Sequence, residues 1–415
     1  MRQFSLSLRR GLHLGQTFAA LRYYNYRLWF FGQMTSLFGT WMQSTAQGYL
    51  VFQLTRSPAY LGYVSFASGV PSWLLVFLGG VIADRMSRRT LLVITQTTMM
   101  ILAFILGGLA FLGVVQPWHI VVLAFSLGVA NAFDAPARQS FVLEMVERED
   151  LTNAIALNST MFNTATVVGP AAAGMAYALV GPAWCFILNG ISFIAVIVAL
   201  LLMRLKPLDV PARRTSPLAD LREGLAYVLG HPMIRVLIGL VGAVNLFGGA
   251  FTTLFPAWAV AVLGGDARTN GLLVSARGLG ALLGALTIAS LGRFRFKGQL
   301  LTVGSFALPV TLLAFALVRW LPLSLLILVA VGFSTILTLN LANSLVQTLA
   351  ADELRGRVMG IYSLTFLGFM PVGGLLIGMM AQQIGEPLSV ALDALVTLGV
   401  AIAVWFFFPR LRALP

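Results

Sequence analysis

Asp84 stands close to Arg85, Arg88 and Arg89 in the stretch Gly80-Val-Ile-Ala-Asp84-Arg85-Met-Ser87-Arg88-Arg89-Thr-Leu-Leu92. An acid among three guanidinium groups in so tight a turn can accept hydrogen bonds from free helix-end amides or pair with an arginine. Its chemistry is the making and breaking of charge pairs. The plainer alternative is a loop whose arginines only set orientation in a membrane. A second pattern binds without reacting. Gln33, Ser36, Thr40, Gln43 and Gln47 fall, at 100° per residue, within an arc of roughly 80° on one helix face. One or two glutamines could serve contacts between helices, but a whole polar stripe on an apolar helix points to a water-filled cavity.

Shorter sets repeat the theme. Ser159, Asn163 and Thr166 share one helix face, and Asn245 and Thr252 share another. Asn340, Asn343 and Gln347 cluster near a helix end, where they can equally form an interface. Trp41, Phe38, Phe162 and Phe247 are interspersed among these sets, a mixture suited to a sizeable amphipathic solute, unless the rings face lipid. Arg277 and Asp393 are the ionisable residues set well inside apolar runs. Arg277 can snorkel, pair with a distant acid or attract an anionic solute, whereas for Asp393 a structural hydrogen bond is expected ahead of proton carriage. The stretch Thr166-Val-Val-Gly169-Pro170-Ala-Ala-Ala-Gly174 breaks one backbone bond and lets helices approach closely.

Covalent chemistry has little to work with. His13, His119 and His231 are scattered, and Cys185 is the single cysteine. No disulfide, metal site or other cofactor is therefore expected. The absence of a GxxxxGK[ST] loop excludes ATP hydrolysis as an internal activity. A polytopic membrane enzyme needs a nucleophile–base pair or metal cluster at one depth, and none is evident. No ring of filter residues suggests a channel.

The elements that must carry these residues follow from composition. Of 415 residues, 59% are hydrophobic and 10% charged, too few charges to solvate several soluble domains. A bilayer core of about 30 Å needs about 20 apolar residues in a helix. Runs of that size give six spans at Leu28–Phe52, Tyr60–Ala83, Thr90–Gly113, Trp118–Val142, Asn153–Val180 and Ala183–Met203. Six more follow at Met233–Leu263, Thr269–Leu291, Gln299–Val318, Pro322–Val346, Val358–Ile384 and Pro387–Phe408. The domain plan is a segment 1–27, a bundle 28–203, a linker 204–232, a bundle 233–408 and a tail 409–415. Within the linker, Ser216–Leu229 has the apolar spacing of a helix lying on the membrane surface.

All but Arg56, Arg268, Arg277 and Arg319 of the 27 basic residues fall on one side of these spans. The positive-inside rule puts both termini and the linker in the cytoplasm. The net charge of +13 then reflects topology and attraction to anionic membrane lipid rather than nucleic acid, and no cleaved signal peptide is read. Gly181…Asn189 and Gly385…Asp393 repeat at an offset near half the chain, as duplicated six-helix bundles do.

The Gly80–Leu92 stretch resembles the loop signature of the major facilitator superfamily, G-x-x-x-D-R-x-G-R-[RK], departing from it at Ser87. If that turn needs positive φ, serine strains it. The resemblance implies an all-α integral membrane protein with 12 transmembrane helices in two pseudo-symmetric six-helix bundles. It implies that Asp84, Arg88 and Asp134 form a charge relay stabilising the outward-open state, with Gly80, Arg85 and Arg89 in the same conformational switch. The counterpart loop Ala289–Lys297 carries no acid, so the lock is one-sided. Gly169, Pro170 and Gly174 resemble the helix-five motif of family exporters, with Ala173 replacing a glycine. Asn131–Gln139, with Glu149-Asp150-Leu151 and Asn153–Ser159, is similar to the exporter branch of siderophore and macrolide efflux proteins, called transmembrane secretion effectors.

The resemblance thus implies a monomeric secondary transporter of the bacterial inner membrane, exporting small amphipathic molecules with protons as the coupling ion. A lysophospholipid flippase, a facilitator importer or a sugar exporter of the same fold is the alternative. Ala124 lies near the place of the helix-four arginine of many family antiporters, so proton coupling rests on resemblance alone.

Overall fold

A computed structural model describes residues 18–205, 217–291 and 296–414, with the backbone alone at 76, 77, 81, 84 and 217–220. Among the described residues every regular element is helical. The first half supplies α1 (Tyr24–Thr55), α2 (Pro58–Arg85), α3 (Arg88–Phe111), α4 (Pro117–Phe141), α5 (Leu151–Val180) and α6 (Pro182–Leu202). After α7 (Pro217–Gly230) come α8 (Pro232–Ala243), α9 (Ala267–Leu291), α10 (Lys297–Leu317), α11 (Leu321–Leu349), α12 (Arg355–Ile384) and α13 (Glu386–Phe407). Among the described residues, 9 helical stretches are long and apolar enough to cross a membrane. Tyr24–Thr55 and Leu151–Val180 are as long but carry more polar side chains.

Sequence punctuation places the helix ends. Pro58, Pro117, Pro182 and Pro232 open helices at positions whose N–H has no intrahelical acceptor. Gly181 ends α5 at φ 86° and Gly385 ends α12 at φ 84°, a left-handed turn that favours glycine. The repeat seen in sequence therefore recurs in backbone conformation. The expected seventh span is not one regular helix. α8 passes into π turns at Val244–Gly248 and Trp258–Val262 with a 3-10 turn at Ala250–Leu254 between them. Gly248 and Gly249 weaken the helix there, and Pro256 removes an amide donor.

Short connections alternate the helix directions. The start of α1 and the end of α13 share one face, the terminus face. On it, Arg22 pairs with Asp150 at 2.6 Å, and the Tyr23 hydroxyl donates to the same carboxylate at 2.8 Å. The Tyr23 hydrogen bond and then Asp150 raise the pKa of exposed Arg22 above its ordinary value. α7 docks against α12 through Glu223 and Arg357, 2.7 Å apart.

Each half buries its own apolar cluster. Trp29, Leu92, Phe141 and Leu200 belong to the first, and Phe251, Trp258, Phe315 and Leu345 to the second. Trp258 stacks on Phe315 at 4.4 Å between ring centroids. The halves meet where α5 packs on α9 and α2 on α12. A Cβ on Gly271 would lie 2.4 Å from the Pro170 carbonyl, and one on Gly174 2.6 Å from that of Ala267. Gly378 and Gly62 make the matching approach, with Cβ positions 2.8 Å from the Pro58 carbonyl and 2.9 Å from that of Gly374. These backbones touch because no side chain intervenes, as membrane helices require when apolar burial adds little. All these contacts lie toward the face opposite the termini, where a mixed cluster joins Leu61 and Phe186 to Ala257 and Ala267.

Candidate functional site

Between the halves lies a cavity of about 540 Å³. Gln33, Ser36, Thr40, Gln43 and Gln47 of α1 are all in its wall. Thr252 and Arg277 face them from the second half. α1 thus turns its polar arc inward while Trp29 and Val51 pack into apolar clusters. Gln43 is fixed by Asn189 of α6, whose Nδ2 donates to its Oε1 at 2.7 Å. Asn189 in turn accepts from Ser192 Oγ at its backbone oxygen, 2.7 Å away. Trp41 and Phe162 line the cavity edge to face, 5.9 Å apart.

Several buried polar atoms of this wall have no protein hydrogen-bond partner. They are Gln33 Oε1, Gln96 Oε1, Asn270 Oδ1 and Arg277 Nε. Among the described residues, no carboxylate lies within ion-pair distance of Arg277. A buried polar group without a partner costs about 1–3 kcal/mol, so a polar solute that satisfied these atoms would gain that much. The chemistry available is hydrogen bonding and charge attraction within an aromatic-edged chamber. Among the described residues, no group of His, Cys, Asp and Glu could hold a metal ion.

Other expected residues sit elsewhere. Ser159 is exposed, and its hydroxyl donates to its own helix at Ile155. Thr166 likewise donates to the Asn163 carbonyl at 2.7 Å, and neither lines the cavity. Gly278 presses on the Thr166 backbone instead, with a Cβ position 2.8 Å from its carbonyl, so this face of α5 is a contact with α9. Asn245, in the π turn after α8, is buried and donates to the Val241 carbonyl of α8. Gly169, Pro170 and Gly174 are buried in helix contacts, Gly169 against Trp41. Asp393 was expected to make a structural hydrogen bond. Its carboxylate accepts none among the described residues, and the one side-chain hydrogen bond it receives goes from Thr397 Oγ1 to its backbone carbonyl. Conversely, Asn131, Asn189, Gln96 and Asn270 line the cavity although no polar pattern in the sequence marks them for it. Asn189, Gln96 and Asn270 are each the lone amide of their helix, and Asn131 shares α4 only with Gln139, eight residues on, so none belongs to a stripe. Gln96 and Asn270, on different helices, join only in the folded chain.

The charge relay is expected of the outward-open state, whereas here the glycine contacts close the face opposite the termini. Arg88 pairs with Glu144 at 2.6 Å rather than with Asp134. Asp134 is buried on α4, where Thr95 and Gln96 of α3 both donate to it at 2.9 Å, and Arg138 lies 3.5 Å away. The Asp84 side chain lies outside the described residues. Arg85 is exposed, and Arg89 donates to the Leu201 carbonyl at 2.6 Å. Ser87 has φ −56°, so serine is unstrained there. A Cβ at Gly80 would meet nothing within 4 Å.

Residues 15–414 match a family described as transmembrane secretion effector. The multidrug efflux pump Tap of Mycolicibacterium fortuitum is 28% identical, over 92% of this chain and 95% of that protein. The enterobactin exporter EntS of Citrobacter koseri is 25% identical, over 93% of this chain and 92% of that protein. Among solved structures, the nucleoside transporter NupG superposes with a TM-score of 0.69 at 16% identity, covering 93% of this chain and 98% of that one. That likeness is one of fold.

Proposed function

The chain belongs to the transmembrane secretion effector family of major facilitator transporters, and on that premise we propose that it exports small amphipathic molecules by alternating access, driven by proton antiport. It is a multi-pass transporter of the bacterial inner membrane. In our reading twelve helices span the bilayer with both termini and the linker in the cytoplasm, as the distribution of basic residues favours. The glycine contacts of α5 with α9 and α2 with α12 then seal the outer face, and the chamber is loaded from the cytoplasm.

The observation carrying this reading is the chamber between the halves, with its partnerless amides, its unpaired guanidinium and its aromatic edge. The relatives named for drug efflux and siderophore export support solutes of that kind. One proton crossing about 150 mV releases roughly 3.5 kcal/mol, enough for a solute gradient of about 300-fold.

The test is an accumulation screen in a host stripped of its own pumps, with dyes, macrolides and siderophores. The expected result is lower accumulation of at least one compound, abolished by a protonophore. If no compound changes at verified membrane levels of the protein, the reading fails.

A further inference from the structure

On the outside of the second half, the π turn at Val244–Gly248 that follows α8 surrounds, with α12 and α13, a groove of about 250 Å³. Phe247, Leu376, Met379 and Met380 make most of its wall, and Asp393 forms part of its lining. The groove shares no lining residue with the central chamber. Gly374 and Gly378, which pack on α2, lie on roughly the opposite side of α12 from Leu376. Leu376 and Met379 are 47% and 45% exposed, so the groove opens on the flank of the bundle. Asp393 is only 5% exposed. It lies seven residues beyond Glu386, or roughly 10 Å along the helix axis. A carboxylate in such a medium is expensive unless a charge or several donors face it. Among the described residues no charge pairs with it and no hydrogen bond reaches its carboxylate, Gln383 being the other polar residue of the lining. The equivalent of Asp393 in the first half, Asn189, has its partner in Gln43. The chain thus fills one position of the repeat with an internally satisfied amide and the other with an acid left open to the groove.

We propose that this groove is a second binding site, for an amphipathic organic cation whose ammonium head pairs with Asp393 while its apolar chain lies along the flank of the bundle. The charge complement is Asp393. The Phe247 ring offers a face to a quaternary ammonium, and Met379 and Met380 adapt to irregular apolar shapes. The π turn at Val244–Gly248 widens α8 where the head group would sit. The groove takes its occupant from the lipid side. It is separate from the central chamber and does not depend on the transport reading.

The experiment uses the full chain in phosphatidylcholine nanodiscs and measures binding of dodecyltrimethylammonium, with empty nanodiscs subtracted. The wild type is expected to show saturable binding that dodecyl maltoside, an uncharged amphiphile of equal chain length, does not displace. Asp393→Asn should weaken it at least tenfold, and Asp393→Glu should retain it within a few-fold. Met380→Trp, which fills the groove but keeps the carboxyl group, should weaken it as Asp393→Asn does. Equal affinity in Asp393→Asn, intact binding in Met380→Trp or no saturable binding by the wild type would each overturn the proposal. So would a phosphatidylethanolamine that copurifies with the wild type, is lost in Asp393→Asn and resists displacement by dodecyltrimethylammonium, because the occupant would then be a lipid amine.

Discussion

Gln43 and Gln47 share the chamber wall but are held differently, and the difference shapes what their loss should do. Gln43 accepts from Asn189, so leucine there leaves a buried amide donor unpaired at about 1–3 kcal/mol. Gln47 carries no such tie. Replacing both with leucine should reorder the ranking of exported compounds while insertion persists. The check is a substrate profile at matched membrane levels, and an unchanged ranking would show that the stripe does not face solute. Arg277 makes a sharper case. Its Nε has no partner, and charge-assisted hydrogen bonds are worth about 1.5–3 kcal/mol. Arg277→Ala should therefore depress transport of acidic solutes about tenfold or more and that of cations far less. Equal losses for both would assign the guanidinium to structure. The α1 stripe was legible because one helix carries it with strict periodicity. Asn189, Gln96 and Asn270 were not, because their meeting is tertiary and each alone looks like an ordinary polar residue in an apolar helix.

At the scale of elements, the choice of ion-pair partner is the informative feature. Arg88 holds Glu144, and Asp134 holds Thr95, Gln96 and Arg138, with the glycine contacts closed at the opposite face. If Arg88 moves to Asp134 when the terminus face shuts, each pairing favours one state. Glu144→Gln should then shift the balance toward the closed terminus face by about ten- to a hundredfold. Asp134→Asn should shift it the other way. Thiol labelling of a cysteine at exposed Ser159, in a background with Cys185→Ala, reads that balance. Identical labelling of both variants would remove these acids from the switch. The sequence signature located this loop, but it could not show which acid Arg88 holds in a given state, since one pattern serves both. The broken path of α8 escaped for another reason. Hydropathy reports burial, and the π and 3-10 turns around Gly248, Gly249 and Pro256 leave it unchanged.

At the scale of the whole molecule, the two halves are joined by paired backbone contacts that the repeat makes nearly equivalent, α5 on α9 and α2 on α12. Ser57, just ahead of α2, and Gln382, near the end of α12, mark the rim of the closed face, and the Ser57 hydroxyl donates to Gln382 Oε1 at 2.5 Å. Both lie at the bundle surface, so a thiol at each place is within reach of a reagent from that side. Alternating access demands that these rims part in every cycle, since a chamber sealed at one face can release solute there in no other way. A double variant, Ser57→Cys with Gln382→Cys on the Cys185→Ala background, should therefore transport normally until a short bis-methanethiosulfonate joins the two thiols. Efflux should then stop, and reduction should restore it. Each single-cysteine variant treated with the same reagent should keep working, which separates locking from simple modification. Full efflux by protein shown to be cross-linked would mean that the rims stay together during transport, and the rocking of one half against the other would have to be abandoned as the mechanism.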